Sequence, residues 1–470
     1  MFAANAPSSK ITLSYADVGK VLVSVKEAGG TVSSSPTVVW RPDALRLAVN
    51  GVTAQASSTA APFLAAGTPF SMKVDALMVN GVAAPNFGNG DATVTVALPA
   101  ALPTATADEK LIAAAMGNLP KLDTSWPDPA SGGAFTGSGT FTEVGVPTLV
   151  STVTGGYFGV AGDVKDATLK VGRFYPFSFQ TVVTPMFPDC SKVSKLPVCP
   201  AGIPGASYAT QNFAVNVIPL DVNANPVQNF RGVFGDKLDL SAVDSVGAAS
   251  AVAPGGGTLT APAVAALPAT GSYDAMVVNA SYALPVPFSR PVPASTAWSP
   301  SLPIYLRATA QTAVDNSGKV KLTSKQADKS LEAGLMILNG RLRLSTVPGS
   351  ELLRLPVTMD AQFWYKPATG AGSWTGNLAD TGATPTAIAF SACKRNLLVA
   401  NACDSNLKMV PKDAAFTAGT ARFFIAPPGA GKTGSAMFNM TGAPAWLPST
   451  LAQAVFGAYK NNFIYLRELY

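Results

Sequence analysis

The chain of 470 residues contains no histidine. That removes Ser-His-Asp and Cys-His nucleophilic catalysis, imidazole general bases and nearly all catalytic zinc centres. Charge is scarce as well: Asp, Glu, Lys and Arg together make up 13% of the chain, about half the usual share of ~25%. The 33 Lys and Arg against 27 Asp and Glu are scattered, with no basic run and no interleaved aromatic stripe, so no nucleic-acid partner is expected. No apolar run approaches the ~18 residues of a membrane-spanning helix. Met1 to Lys10 lacks the basic-then-apolar shape of a signal peptide. If the protein is exported, a leader and upstream domains are expected to lie outside this chain.

Cysteine is rare, and its placing is informative. Cys190, Cys199, Cys393 and Cys403 form two separated local pairs, neither with zinc-site spacing. Each pair closes a loop of about ten residues, where a bond stabilises by ~2–3 kcal/mol. Disulfides Cys190–Cys199 and Cys393–Cys403 are expected, and with them an oxidising compartment.

What is present points to strands. Hydrophobic residues make up 48% of the chain, enough for a core, and 42 Gly and 38 Pro supply many turns. Short alternating runs such as Val21 to Val25, Thr93 to Ala97, Phe213 to Val217 and Phe463 to Leu466 lie between Gly, Pro, Asn and Ser clusters. Helix signals are few: a capping box at Thr106 to Glu109 ahead of Lys110 to Met116, and a weaker run from Lys325 to Glu332.

The chain repeats itself. Phe70 to Phe87 and Phe213 to Phe230 align without gaps, matching Phe70 with Phe213, Val74 with Val217, Leu77 with Leu220, Val79 with Val222, Asn80 with Asn223 and Asn86-Phe87 with Asn229-Phe230. Upstream, Arg41 to Leu47 echoes Arg173 to Phe179, and Tyr15-Ala-Asp17-Val-Gly19 echoes Phe141-Thr-Glu143-Val-Gly145. A unit of roughly 130 residues made of strands and turns reads as an immunoglobulin-like sandwich. The spacing gives sandwiches at 41–171 and 172–321, with 1–40 as closing strands of a preceding or shared unit. Gly247 to Ala269 and Leu284 to Pro303 read as loops. From about Leu322 the repeat is lost, and 322–470 is expected to be a distinct C-terminal β domain.

Candidate chemistry is thin. Ala426 to Thr433 ends in Gly-Lys-Thr but lacks the first glycine of a phosphate loop, and Gly434 weakens any following helix; a turn between strands is the better account, and no nucleotide is expected. Asp221-Val-Asn223-Ala-Asn225 alternates oxygen ligands, but Pro226 and Gly232 stand where an EF-hand needs Gly and Glu; a hairpin turn is expected, and so is one at Asp315 to Gly318. Trp364, Tyr365 and Trp374 could offer ring faces to a sugar, although strand alternation would bury about half of such a set. The 27 acids form no recognisable catalytic pair. No enzyme activity, metal or cofactor is expected.

Several segments together resemble the C-terminal region, a domain of unknown function, of the Q-type biogenesis protein of mannose-sensitive haemagglutinin type IV pili. They are Tyr15-x-Asp-Val-Gly19, Val39-Trp-Arg-Pro42, Val171 to Pro176, Gly340 to Leu344, Leu355 to Tyr365, Pro444 to Leu447, and Phe456 to Tyr459 leading to Ile464 to Tyr470. The set is in the family's order and spans nearly the whole chain. The resemblance implies a surface-exposed or pilus-associated β protein without known catalytic residues. Two departures stand out: Asn377 to Thr384 lacks the family's following cysteine, and Pro448 to Gln453 lacks its acids.

The expectation is an elongated all-β protein: tandem immunoglobulin-like β-sandwiches, then the distinct β domain. It would be a non-catalytic, extracellular structural or adhesive component of a type IV pilus or cell surface, with pilus or surface proteins as partners. Two alternatives are a carbohydrate-binding module using Trp364, Tyr365 and Trp374, and a filament subunit in which residues 1–40 complete a neighbour's sandwich by strand donation.

Overall fold

The computed structural model describes residues 10–26, 29–30, 32–34, 36–50, 61–89, 92–98, 122–125, 133–160, 164–249, 252–265, 276–289, 298–313, 321–325 and 331–457. The sequence-predicted helix at Lys110 to Met116, most of that at Lys325 to Glu332, the turn at Asp315 to Gly318 and the strand at Phe463 to Leu466 lie outside the described residues. Among the described residues the chain is built from strands, with short 3-10 turns at Cys190–Lys192, Gly232–Phe234 and Pro254–Gly256.

Near the N-terminus β1 (Gly19–Leu22) pairs antiparallel with β4 (Thr37–Trp40), and β2 (Val25–Lys26) with β3 (Val32–Ser34). The first full unit follows with β5 (Ala44–Val49), β6 (Pro69–Leu77), β7 (Val94–Ala97), β8 (Leu122–Ser125), β9 (Ala134–Phe141), β10 (Thr148–Val153) and β11 (Ala167–Lys170). One sheet runs β5-β6-β9-β8 and the other β11-β10-β7. Four strands facing three in this connection order is the constant-type immunoglobulin sandwich. Strict alternation places the core: along β6, Phe70, Met72 and Val74 are buried while Ser71 and Lys73 face solvent. One acid breaks the pattern. Asp75 is buried and held by Arg46 at 2.6 Å and Lys73 at 2.9 Å. Burial works to raise its carboxyl, and these two cations outweigh it and hold it below the usual carboxylate range.

The second unit has β12 (Ser178–Thr184), β13 (Ala206–Tyr208), β14 (Phe213–Leu220), β15 (Leu238–Val243), β16 (Thr258–Thr260), β17 (Val277–Ala283), β18 (Leu302–Ala313), β19 (Lys321–Thr323) and β20 (Gly334–Leu338). Its sheets are β12-β14-β17-β16 and β13-β20-β18-β15, with β19 on β18. Two expectations change here. β20 pairs with β18 and completes this sandwich, so the unit runs to Leu338 and not to Lys321. The two stretches read as loops also contribute: Thr258–Thr260 is an edge strand, and Leu302 opens β18. Low complexity hid the first, a three-residue edge strand that needs little apolar patterning, while the second stretch reaches only the opening Leu302-Pro303 of a 12-residue central strand. Inside, Arg307 and Glu332 form a buried ion pair at 2.5 Å.

The third unit has β21 (Gly340–Leu344), β22 (Val347–Gly349), β23 (Leu355–Tyr365), β24 (Ser373–Gly376), β25 (Ile388–Arg395), β26 (Leu398–Val399), β27 (Ala402–Cys403), β28 (Met409–Pro411), β29 (Thr420–Ile425), β30 (Gly434–Met440) and β31 (Ala452–Phe456). Its sheets run β21-β23-β29-β28 and β22-β31-β30-β25. This domain is distinct in sequence, yet its connection order is that of the first two units. In the second and third units a segment between the first two long strands runs parallel to the last, β13 with β20 and β22 with β31; in the first a single parallel bridge joins Ala65 to Tyr175, just beyond β11.

Each sandwich therefore has two ends. The tail end carries the loop between its first two long strands and the loop before its penultimate strand. The head end carries the turn after its second long strand. The chain leaves each unit at its tail and enters the next at its head, so successive units meet tail to head.

Candidate functional site

Among the described residues no group of three or more His, Cys, Asp or Glu side chains could hold a metal ion, and the most constructed polar features are the unit junctions. Between the first and second units stands Glu143, 9% exposed, just after β9. Its Oε1 accepts the backbone N–H of Val144 at 2.8 Å, Asn229 at 2.9 Å and Gln228 at 3.0 Å, and Oε2 accepts Gln228 again at 2.9 Å. Asn229 Nδ2 donates back to the Val144 carbonyl at 2.8 Å. One carboxylate thus satisfies donors on both units. Burial pushes the Glu143 carboxyl above its ordinary value, while the N–H donors and Arg231 pull the other way.

Beside this clamp the turn after β14 sits on the first unit. Val222 N–H donates to the Ala66 carbonyl at 3.0 Å. Gly67, with φ +83°, faces Val222 so closely that a Cβ would lie 2.9 Å from Val222 Cγ2. Asp221 turns its oxygens inward: Oδ1 accepts Asn223 and Asn225 N–H, each at 2.8 Å, and Oδ2 accepts Asn225 Nδ2 at 3.1 Å. The oxygen-rich run is a self-bonded turn. Ala66, Val144 and Val146 of the first unit share a buried cluster with Phe179, Val217 and Phe230 of the second.

The same pattern recurs upstream. Asp17 Oδ1 accepts Val18 N–H at 2.8 Å and Asn86 N–H at 3.2 Å, and Val18 is buried in the first unit's core. Asp17 and Glu143 each stand two residues before a glycine at left-handed φ, Gly19 at 139° and Gly145 at 138°. Gly434, at 155°, opens β30 in the third unit as Gly19 opens β1, while Gly145 lies three residues before β10. There the position two before it is Lys432, paired with Asp404 at 3.0 Å. Ala426 to Thr433, the Gly-Lys-Thr segment, is the loop joining β29 to β30, and it leads into a strand.

The second junction uses other residues. Tyr208 is fully buried; its hydroxyl donates to Asp380 Oδ2 at 2.9 Å and accepts from Asn377 Nδ2 at 2.8 Å. Burial, then the Asp380 charge, drives its phenol well above the ordinary value, so it stays neutral. Leu378 N–H donates to the Val193 carbonyl at 2.9 Å. The structure joins Cys190 to Cys199 and Cys393 to Cys403, with Cα atoms 6.1 and 5.3 Å apart. The first bond closes the loop whose Val193 and Val198, with Phe187 just before it, enter the third unit's core cluster. Cys190→Ser with Cys199→Ser should lower stability by about 2 kcal/mol, with the earliest proteolytic cut between Pro185 and Gly205. Unchanged protease sensitivity would show that the loop is held without its bond.

The candidate sugar-contact aromatics lie at this junction too. Trp364 and Trp374 face each other across β23–β24, ring centres 5.4 Å apart. Trp298 packs on both, at 5.2 and 5.1 Å, and Phe288 on Trp374 at 5.4 Å. The Arg341 guanidinium covers Trp374 at 3.9 Å and donates twice to Gln362 Oε1. Burial, then Arg343, lowers the Arg341 pKa to about 10. Tyr365 is separated from this group by alternation and packs against the third unit's core. Glu143, Tyr208, Trp298 and Arg341 carry the junctions. Glu143 had a sequence signal in its echo with Asp17, and Arg341 lay in the Gly340 to Leu344 segment; Tyr208 and Trp298 had none. A pocket of about 340 Å³ near β31, lined by Asn439, Met440, Thr441, Pro444, Pro448 and Ser449, presents no ionisable side chain.

Two family models match the chain, the first of them taking in β10 and β11 of the first unit as well as the second unit. Residues 143–336 match the family model for DUF6701, third domain, and residues 338–469 that for DUF6701, fourth domain. No curated protein matches the chain. Among solved structures, one of the surface layer protein SbsC, domains 4-9, aligns at 12% identity and a TM-score of 0.18, over 93% of this chain and 54% of that one.

Proposed function

Because the chain carries the third and fourth domains of DUF6701 in tandem, we propose that it is a non-catalytic structural component of the bacterial cell surface, associated with a type IV pilus, whose work is to hold a fixed extended shape. The observation that carries this reading is the Glu143 clamp. A flexible string of domains has no need to bury a carboxylate between units and saturate it with four backbone hydrogen bonds. Two cysteine pairs, both oxidised, support an extracellular location. The pilus association rests on the ordered segments from Tyr15 to Tyr470 described above. Immunogold labelling of intact cells tests it: label on the outer surface together with pili is expected, and label confined to the cytosol would overturn it.

Carbohydrate binding through Trp364 and Trp374 takes second place, because their faces pack on each other, on Trp298 and under Arg341. Strand donation between copies is weaker still. Each of the three sandwiches already has its own two closing strands, so a second copy offers residues 19–40 no open sandwich to complete.

A further inference from the structure

The first unit has a head face that no described residue fully covers, and the molecule itself shows what fits there. Val79 is matched with Val222, and Asn86 with Asn229, by the gapless repeat. At the first-to-second junction Val222 is half-buried, seated against Gly67 and bonded to the Ala66 carbonyl. At the first unit's own head Val79 is 89% exposed and Val82 55% exposed. Yet the other half of the same junction is present: Asp17 holds the Asn86 N–H as Glu143 holds that of Asn229, and Val18 is inserted as Val144 is. β1 and β4, which lead away from this clamp, are antiparallel neighbours like β10 and β11. Leu22 and Val39 on them are 61% and 44% exposed. A two-stranded ribbon alone is marginal in water.

We propose that the Val79–Val82 turn is the docking seat for a further immunoglobulin-like sandwich of the same type, one that uses β1 and β4 as its last two strands and contributes the rest. This rests on the tail-to-head reading above. The partner is specified by chemistry: a loop between a sandwich's first two strands, with a small residue such as Gly67 over the valine and a free carbonyl like that of Ala66 for the Val79 N–H. The Asp17 clamp fixes its rotation about the long axis.

Site-specific photocrosslinking tests this in cells making the protein. A benzophenone amino acid is placed at Val79 in one variant and at Val222 in a second, and the captured peptides are read by mass spectrometry. Val222 should capture the Ala65–Thr68 peptide. Val79 should capture a peptide between the first two strands of another sandwich, whether on the same polypeptide or another one. Capture at Val79 of a peptide from any other fold, of lipid or of glycan, or no capture while Val222 succeeds, would overturn the docking seat alone. Failure at Val222 as well would overturn the tail-to-head arrangement and the docking seat with it.

Discussion

Glu143→Ala should destabilise the chain by about 3–5 kcal/mol, because it strands three backbone donors in a buried site at roughly 1–3 kcal/mol each. The donors are Val144, Gln228 and Asn229. Two of them belong to the second unit, so the loss should also uncouple the two sandwiches, and calorimetry should show the unfolding envelope split. A single unchanged transition would mean that the clamp adds nothing. Glu143→Gln is the control with a sign. The carboxyl's folded-state value lies above its ordinary 4.5. Its contribution is therefore fully present below the unfolded value and lost as pH rises through the folded one. Wild type should lose stability relative to Glu143→Gln across that window; the opposite slope would mean that the clamp favours the ionised form.

Tyr208→Phe should be nearly as damaging, at about 3–5 kcal/mol, although it deletes one oxygen and leaves the ring's packing intact. The hydroxyl is the shared partner of Asp380 and Asn377, both buried, and neither can turn to water without opening the second junction. The fluorescence of Trp364 and Trp374, which pack on Trp298 at the same boundary, should change in the folded variant. A drop below about 1 kcal/mol, the worth of an ordinary exchangeable hydrogen bond, would show that the junction rearranges freely.

Much of the fold could be read from the residues. The alternation in Phe70 to Leu77 and Phe213 to Leu220, each followed by an Asn turn, marks the same strand twice, and both became the second strand of a sandwich. The third sandwich was hidden because its second strand, Leu355–Tyr365, is longer and leads into a different turn, with β24 folded back on it. Its order lies in the hydrogen bonding and not in the identities. The boundary near Leu338 was hidden for a related reason: β20 is apolar throughout, and an all-buried strand carries no period to place it. Spacing sufficed for the cysteines, since a local pair has few places to go. The junctions were legible only in part. Asp17 and Glu143 stood out as an echo, but an acid's role depends on donors that lie about 70–90 residues away in sequence, and local pattern cannot supply contacts at such range. Trp298 was lost in a Pro- and Ala-rich stretch, and Tyr208 had no pattern to distinguish it from any core aromatic.

Small-angle X-ray scattering of the wild-type chain beside Glu143→Ala tests the central claim most directly. The wild-type profile should fit one extended arrangement of sandwiches joined tail to head, and the variant should need an ensemble of bent forms. A wild-type profile that itself demands a flexible ensemble, or one from a compact body, would contradict the view that buried junctions hold this protein in a fixed shape.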